Sequence, residues 1–462
     1  MEKYDVVVIG SGPGGYPAAI RAAQLGASTA LVEREAVGGT CLNWGCIPTK
    51  TLIASSDLFA RMNAAGELGL SAEGTSYDYA AIVKRKGKVV ARLKGGLGQL
   101  LKANKVDVIT GTASFAGRNR IAVDGKTAME AGRTIIATGS CSAMPSFIPS
   151  GKRVVESRAF LDMTGLPGSM IVLGGGVIGC EFACMAAQFG VKVTVVEMLE
   201  DILLMLDADI RAELRKHMEG RLGIEVFTGA PLVDIKAGKT GVNGKFGDRT
   251  LKAELLLASV GRLPVTNGLE LERAGLATTD SGHIETDSLG RTSVASVYAV
   301  GDVTAGSTQL AHAATAQGIN AASDACGQRV PRAEQVVPAC IFTAPEIGSV
   351  GLTEREALES GREVVTGKYS FAGLGKAMAA GETGGFVKWI ADAATDQLLG
   401  AHAVGPHATE LISEATSAVA AEMTAAELGR TIHCHPTFSE AWMEAAHAVH
   451  GEAIHQPPRR RK

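Results

Sequence analysis

One strand–turn–helix–strand pattern occurs twice in this sequence and constrains the fold more than any other feature. The first copy begins with the strand VVVIG, passes through Gly10, Gly12 and Gly15 into an amphipathic helix, and ends in a strand that closes on Glu33. Glycines at these positions permit a tight turn, close approach of a pyrophosphate and packing of helix on strand, and the acid can hydrogen-bond a ribose. The pattern therefore predicts a dinucleotide whose phosphates meet the helix N-terminus.

The second copy has the same internal spacing. It carries Gly174, Gly176 and Gly179 before its helix and ends at Glu197, and in both copies the acid lies 23 residues after the first glycine. Two tight turns in ordinary α/β units are the alternative, but they would not require strand, helix and acid in register twice. We interpret the pair as an internal repeat with two nucleotide sites, which suggests electron transfer between two dinucleotides.

The residues around the second acid favour NAD over NADP. A carboxylate at this strand end hydrogen-bonds ribose hydroxyls and repels a 2′-phosphate. Met198 and Leu199 follow Glu197, and no arginine occurs before Arg211. We therefore expect Glu197 to set the preference for NAD.

Other strand ends match a flavoprotein built on these units. One buried strand runs into a turn at Thr138 and Gly139, and the stretch LLLASVGR, which contains Gly261, repeats that shape after the second unit. A later strand delivers Asp302 from a Gly-Asp turn. Such an acid suits a polyol, for example the ribityl chain of a flavin.

Two cysteines, Cys41 and Cys46, lie in the glycine-rich run GGTCLNWGCIPTK at 38–50. They could be core residues, half of a metal site, or a pair on which chemistry acts. Eight cysteines in 462 residues do not form the pattern of a secreted disulfide scaffold, so a reducing compartment is expected. A cysteine pair there is more often catalytic or metal-binding than structural, and no second pair of metal ligands is apparent.

The overall composition excludes several classes of function. A net charge of −3 offers no electrostatic footprint for nucleic acid, and the basic run at 459–462 is interpreted as a solvated end. No apolar run has membrane-spanning length, and the chain enters a strand almost at once, which leaves no room for a signal peptide. We expect a cytoplasmic protein that binds neither membrane nor nucleic acid.

Taken together, these motifs resemble the pyridine nucleotide:disulfide oxidoreductases. The match rests on GSGPGG, GGTCLNWGCIPTK, ATGS, GGGVIGCE, SVGR, AVGDVTAG and HCHPTFSE, which occur in order over essentially the whole chain. Within that family the chain is most similar to the dihydrolipoyl dehydrogenases. The resemblance implies an α/β fold with two Rossmann-like domains and a C-terminal α+β dimerisation domain. The expected divisions are FAD-binding 1–144, NAD-binding 145–267, a return to the FAD domain at 268–336, and an interface domain at 337–462.

The resemblance also implies roles for individual residues. Cys46 is expected nearer the flavin and Cys41 to exchange with the substrate. Lys50, paired with Glu181, should lie near the reactive flavin nitrogen. His435 and Glu440 should serve the disulfide of the partner subunit, with His433 as the local competitor for the histidine role. The full set of cofactor residues expected for FAD and NAD is Gly10, Gly12, Gly15, Glu33, Thr40, Lys50, Ala113, Thr138, Gly139, Asp302, Ala311, Gly174, Gly176, Gly179, Glu197 and Gly261.

The activity implied is oxidation of protein-bound dihydrolipoamide with reduction of NAD⁺, by a homodimer that receives lipoylated E2 or H-protein type carriers and holds no metal. The alternative is a related FAD and NAD(P)H disulfide reductase with another disulfide or a metal as substrate. Two departures from the family pattern stand out. Trp44 occupies a position where the family commonly has a small or aliphatic residue, which could alter access to the disulfide, and the linker before Ala311 looks one residue longer.

Overall fold

Two open sheets carry the two repeats. The computed structural model describes residues 1–331 and 336–457, so the basic run at 459–462 lies outside the described residues. The strands of the first segment are β1 (Glu2–Ile9), β2 (Thr29–Glu33), β3 (Asp107–Thr110), β4 (Ala113–Gly117), β5 (Arg120–Val123), β6 (Lys126–Ile136) and β7 (Ser140–Ser142). Its α-helices are α1 (Gly15–Gln24), α2 (Gly39–Trp44), α3 (Cys46–Asn63) and α4 (Tyr79–Ala103), and a 3₁₀ turn spans Ala65–Leu68.

The second segment repeats this plan. Its strands are β8 (Val154–Glu156), β9 (Ser169–Leu173), β10 (Lys192–Val196), β11 (Glu225–Phe227), β12 (Val233–Ala237), β13 (Val242–Phe246), β14 (Arg249–Ala253) and β15 (Leu255–Ala258). Its helices are α5 (Ser157–Leu161), α6 (Val177–Gln188) and α7 (Ala208–Gly220). The chain then leaves this sheet: β16 (Arg262–Pro264) pairs with β7 in a separate two-stranded sheet. After α8 (Leu271–Ala274), β17 (Val297–Ala299) joins the first sheet, and the 3₁₀ turn Gly301–Val303 and α9 (Ala311–Ala325) follow.

The two sheets share four parallel strands in the same order, β3-β2-β1-β6 in the first and β11-β10-β9-β15 in the second, which is the structural form of the sequence repeat. The first has the order β3-β2-β1-β6-β5-β4 with β17 also paired to β6, and the second has the order β11-β10-β9-β15-β8. In both sheets, the strand before the glycine turn is flanked by the strand that leads to the acid and by a later strand of the same sheet. Thus β1 lies between β2 and β6, and β9 lies between β10 and β15. The apolar run at 6–9 is buried because parallel sheets are covered by helices on both faces.

The last segment is an antiparallel sheet covered by helices. Its strands are β18 (Ala339–Ile341), β19 (Ile347–Gly351), β20 (Val364–Ser370), β21 (Phe386–Asp392) and β22 (Leu398–Val404) in the order β18-β19-β22-β21-β20. The helices are α10 (Glu354–Glu359), α11 (Gly375–Ala380), α12 (Ala408–Ala420), α13 (Ala425–Arg430) and α14 (Glu440–Val449), with a 3₁₀ turn at Phe371–Gly373. The buried rings of Trp389 and Trp442 fix α14 on this sheet, and the Trp389 indole N–H donates to the Trp442 carbonyl at 3.0 Å.

A buried charge cluster joins the second unit to this last sheet. The Lys388 ammonium on β21 contacts the Asp207 carboxylate at 2.9 Å and the Glu354 carboxylate at 2.6 Å. The side chains of Lys388 and Asp207 are 3% and 2% exposed. Asp207 precedes α7, and it accepts the backbone N–H of Asp209 at 3.1 Å as a helix cap.

Within the described residues, no helix is both long and apolar enough to cross a bilayer.

Candidate active site

Cys41 and Cys46 form a disulfide between two consecutive helices. Cys41 lies on α2, Cys46 is the first residue of α3, and their Cα atoms are 4.6 Å apart. Gly45 separates the helices with φ −140° and ψ −110°, and a Cβ there would lie 3.1 Å from the carbonyl oxygen of Thr40. Because α3 has 18 residues, the positive end of its dipole faces Cys46 and stabilises a thiolate there when the disulfide is open.

Lys50 projects from the next turn of α3 and pairs with the second unit. Its ammonium donates to both carboxylate oxygens of Glu181 on α6, each at 2.9 Å. Glu181 is nearly fully buried, and it also accepts the backbone N–H of Phe342 at 2.9 Å. The Lys50 ammonium lies 4.5 Å from the centroid of the Phe342 ring. The structure thus brings Lys50 and Glu181 together, as the resemblance to the family implies. It holds the Lys50 ammonium at a fixed place near the start of α3.

The first glycine turn leaves space for a ligand at one position only. A Cβ on Gly10, whose φ is +93°, would lie 2.5 Å from the Ala137 carbonyl oxygen, and a Cβ on Gly15 would lie 1.8 Å from the Gly10 carbonyl oxygen. A Cβ on Gly12 would meet nothing within 4 Å. The first and third glycines are therefore required by packing, and the second faces open space, as a pyrophosphate cradle needs.

The second turn reproduces this geometry. A Cβ on Gly174 would lie 2.4 Å from the Ser259 carbonyl oxygen, and one on Gly179 would lie 2.1 Å from the Gly174 carbonyl oxygen. Gly176 again faces open space. Both cradles fit the phosphates of a dinucleotide.

Glu33, at the end of β2, and Glu197, just after β10, are held in the same way. Glu33 accepts the backbone N–H of Ser11 at 2.9 Å, and Glu197 accepts the equivalent N–H of Gly175 at 2.7 Å. The second oxygen of each carboxylate accepts the N–H two residues farther along the chain. Each carboxylate is thereby fixed beside its glycine turn, where a ribose would lie.

The arginines nearest the second acid are already engaged. Arg211 and Arg215 on α7 both pair with Asp201, at 2.5 and 3.2 Å. Arg215 also pairs with Glu219 at 3.1 Å. These contacts keep both guanidinium groups on α7 occupied, so they are not free to receive a 2′-phosphate beside Glu197.

Asp302 lies in the 3₁₀ turn after β17 and has partners that the sequence did not predict. Its carboxylate accepts the Ser140 hydroxyl at 2.5 Å, and the Arg262 guanidinium lies 3.9 Å away while donating to the same hydroxyl at 2.7 Å. Ser140 and Arg262 come from the paired strands β7 and β16. Ser140 ends the ATGS motif and Arg262 ends the SVGR motif, but neither motif indicates that the two side chains meet at Asp302.

The remaining predicted cofactor residues occupy strand ends and helix starts. Thr138 donates its hydroxyl to the Val265 carbonyl at 2.7 Å, Ala311 is the first residue of α9, and Ala113 is buried at the start of β4. The turn between β3 and β4 approaches the first acid, because the Gly111 N–H donates to the Glu33 backbone carbonyl at 3.0 Å. Gly139 and Gly261 both have positive φ with open space at the Cβ position, and Thr40 lies exposed on α2.

His435 and Glu440 form a pair at the surface of the last segment. The His435 Nδ1 lies 2.8 Å from a Glu440 carboxylate oxygen, and 76% of the histidine side chain is exposed. The other carboxylate oxygen accepts the Thr437 N–H at 2.8 Å. Burial opposes ionisation of Glu440, but the Thr437 and His435 hydrogen bonds hold its pKa below the usual value. The carboxylate therefore stays ionised at neutral pH and orients the ring.

His433, the other histidine of this segment, is held by two acceptors of its own chain. Its Nε2 lies 2.6 Å from a Glu414 carboxylate oxygen, and its Nδ1 lies 2.8 Å from the Thr431 carbonyl oxygen. The side chain is only 4% exposed. The hydrogen bond to Glu414 raises the pKa of His433. Both ring nitrogens face acceptors, so the ring is held as a cation that fixes the segment leading to His435.

Trp44 stacks on an arginine from the second unit. The Arg158 guanidinium on α5 lies 3.8 Å from the centroid of the indole ring. Arg158 also pairs with Glu35, just after β2, at 2.9 Å. The sequence singles out Trp44 as unusual but gives no sign of this partner.

Comparison with known proteins decides the family. The model of the pyridine nucleotide-disulphide oxidoreductases matches residues 4–318, and that of the corresponding dimerisation domain matches residues 337–446. The chain belongs to this family. It is therefore an oxidoreductase of a family that binds FAD and NAD, which the two glycine cradles fit, and the dimerisation domain indicates a homodimer.

Relatives and solved structures match this chain over nearly its whole length. Dihydrolipoyl dehydrogenase of Bacillus subtilis is 42% identical over 98% of this chain and 99% of its own length. That of Halobacterium salinarum is 42% identical over 98% and 97%. Among solved structures, LpdA of Mycobacterium tuberculosis has a TM-score of 0.88 at 30% identity and covers 96% of this chain and 99% of its own. The disulfide reductase RclA of Escherichia coli has a TM-score of 0.87 at 29% identity, with the same coverage.

Proposed function

We propose that this protein is a dihydrolipoyl dehydrogenase, which oxidises dihydrolipoamide to lipoamide and reduces NAD⁺ to NADH. The observation that carries the proposal is the Cys41–Cys46 disulfide, with one cysteine at the start of a long helix, in a chain that also holds two dinucleotide cradles. Full-length relatives with this name support it. The net reaction is dihydrolipoamide plus NAD⁺ giving lipoamide, NADH and one proton.

The first half-reaction is thiol–disulfide exchange. One substrate thiolate attacks the Cys41 sulfur, the Cys41–Cys46 bond breaks, and Cys46 leaves as a thiolate. The second substrate sulfur then attacks the first, which closes the lipoamide ring and releases Cys41. Thiolates rather than thiols perform these attacks, so the two substrate protons need an acceptor.

His435 is suited to accept the first of these protons. A neutral ring whose Nδ1–H donates to Glu440 keeps Nε2 unprotonated and free to act as a base. Once protonated, the imidazolium stabilises the thiolate that remains. We assign it to the disulfide of the partner subunit, because it is exposed on the segment that matches the dimerisation domain.

The residues around the two cradles fit the remaining cofactor chemistry. When bound, FAD supplies the link between a two-electron dithiol and a hydride acceptor, which side chains lack. Gly10, Gly12 and Gly15 would hold its pyrophosphate, and Lys50 would present a fixed cation near the isoalloxazine ring. The wider set that would bind FAD is Glu33, Thr40, Ala113, Thr138, Gly139, Asp302 and Ala311.

The second cradle would hold NAD. Gly174, Gly176 and Gly179 would receive its pyrophosphate, and Glu197 its adenosine ribose, with Gly261 at the edge of the site. The engagement of Arg211 by Asp201 supports NAD over NADP, because the guanidinium that a 2′-phosphate needs is already paired.

The proposal also covers the oligomeric state of the enzyme, its carrier proteins, its location and its domain divisions. It acts as a homodimer on lipoylated E2 or H-protein type carriers, as a component of a 2-oxoacid dehydrogenase or glycine-cleavage system. The cytoplasmic location rests on cysteine usage. The four divisions at 1–144, 145–267, 268–336 and 337–462 are supported by the separate sheets.

One assay tests the proposal against its alternatives. The purified protein should show a flavin absorbance spectrum and form NADH from free dihydrolipoamide and NAD⁺. Cys46→Ser should lower this rate at least about a thousandfold, as loss of a reacting group does. Cys141→Ser, at an exposed free cysteine, is the matched control and should leave it unchanged. A colourless protein, or an active Cys46→Ser variant, would contradict the proposal, and higher activity with another disulfide or a metal ion would favour the related reductases.

A further inference from the structure

Helix α2 carries Cys41 but is weakly anchored by its own residues. It spans only six residues, none of them buried, and Gly38, the N-cap residue that precedes it, provides no side-chain cap. Helices this short are not stable alone in water. The position of Cys41 therefore depends on contacts between α2 and its neighbours.

The disulfide is one such contact, and the proposed reaction opens it in every turnover. The Asn43 amide donates to the Val37 and Gly39 carbonyls, each at 3.0 Å, but Val37 lies just before the helix and Gly39 is its own first residue. Leu42 packs against the core of the first unit. Leu42 and Trp44 are two positions apart and therefore do not share a face of the helix. The packing of Leu42 thus does not hold the face that carries Trp44.

Trp44 shares a helix face with Cys41. Residues three positions apart are neighbours on a helix surface, so the two side chains leave the helix on the same side. The Arg158 guanidinium covers the indole ring at 3.8 Å, and Glu35 holds the guanidinium at 2.9 Å. Through this stack, α2 is joined to α5 of the second unit and to the chain that follows β2.

We propose that Trp44 and Arg158 position Cys41 by keeping α2 in place while the Cys41–Cys46 disulfide is open. Both are positioning residues that act through the helix, and the inference rests on the proposed function. Exchange requires near-collinear approach of three sulfur atoms, and a displacement of about 1 Å slows such a reaction strongly. A small or aliphatic residue at position 44 could not accept the planar guanidinium.

Hydrogen exchange of the segment 38–46 tests this in the holoenzyme. The protein is measured oxidised, and again after reduction with dithiothreitol under nitrogen. Arg158→Ala should exchange like the wild type when oxidised. When reduced, it should exchange about two- to fivefold faster, the factor that corresponds to a cation–π contact at an exposed site. Trp44→Val should behave in the same way, and Trp44→Phe, which keeps a ring under the guanidinium, should restore slow exchange.

The matched control is Arg249→Ala, because Arg249 lies over the ring of Phe227 in a similar contact remote from α2. It should change exchange at 38–46 in neither state. Equal acceleration in the oxidised and reduced Arg158→Ala protein, or none in either, would overturn the inference. The measurement needs no turnover, so it remains decisive even for a chain that fails to oxidise dihydrolipoamide. In an active enzyme, Arg158→Ala should lower kcat with dihydrolipoamide and leave KM for NAD⁺ unchanged.

Discussion

Replacing Lys388 by methionine removes the cation from the buried cluster that joins the second unit to the interface sheet. Asp207 then remains buried with two backbone N–H donors, from Asp209 and Glu354, but with no ammonium. Breaking a buried ion pair on one side costs about 3–5 kcal/mol. The exposed carboxylates of Asp209 and Glu354 can turn to water and add little. We expect a loss of about 3 kcal/mol, because the backbone donors still serve Asp207.

The assay is thermal unfolding followed by near-ultraviolet circular dichroism. A loss of 1 kcal/mol lowers Tm by about 2–4 °C for a unit of 150–250 residues, so the variant should melt about 6–12 °C lower at pH 7. Lys388→Met combined with Asp207→Asn should recover much of this loss, because no unpaired charge is left. Lys3→Met, which removes the cation of an exposed pair with Glu130, is the control and should change Tm by less than about 2 °C.

The same variant should show a characteristic pH dependence. Burial raises the pKa of Asp207, but hydrogen bonds from Lys388 and the backbone lower it more, so its net pKa is below the usual value. The stability this group contributes is complete above its unfolded pKa, about 4, and is lost as the pH falls through the folded value. The deficit of Lys388→Met should therefore be largest near pH 7 and shrink below about pH 4. A stability loss of Lys388→Met under about 1 kcal/mol at pH 7, or a loss that is equal at pH 7 and below pH 4, would refute this account.

Three further outcomes are expected. Glu414 raises the pKa of His433, so the stability from this pair is complete below the unfolded pKa near 6.5 and is lost as the pH rises through the folded value. His433→Gln should therefore lower Tm more at pH 6 than at pH 9, and an equal loss would count against a charged ring. Glu440→Gln should reduce kcat with dihydrolipoamide about 100-fold at an unchanged KM for NAD⁺, measured by steady-state kinetics. Gly176→Ala should raise KM for NAD⁺ about tenfold without changing flavin content, whereas Gly12→Ala should lower flavin content.

The features that the sequence predicted well depend on backbone geometry close to the residue concerned. Gly10 and Gly15 are needed because a Cβ would strike a neighbouring carbonyl, and that requirement is visible as a motif. The Cys41–Cys46 disulfide was implied by the resemblance to the family, because the spacing of the two cysteines alone left core residues and a metal site open.

The features that the sequence did not predict are contacts between distant segments. Phe342 reaches Glu181 and Lys50 only because the last sheet packs against the first two units. The Arg158 stack on Trp44 likewise joins residues more than 100 positions apart. A surface arginine carries no periodic or motif signal, so only the folded arrangement of α2 and α5 reveals it.

The exposure of His435 has a consequence for mixed populations of chains. Under the proposed arrangement, each chain lends its histidine to one reaction centre and its cysteines to another. A chain without Cys46 and a chain without His435 would each form inactive homodimers. Paired together, they would place both lesions in one centre and leave the other intact, so two defective gene products would restore half of the activity of a normal dimer.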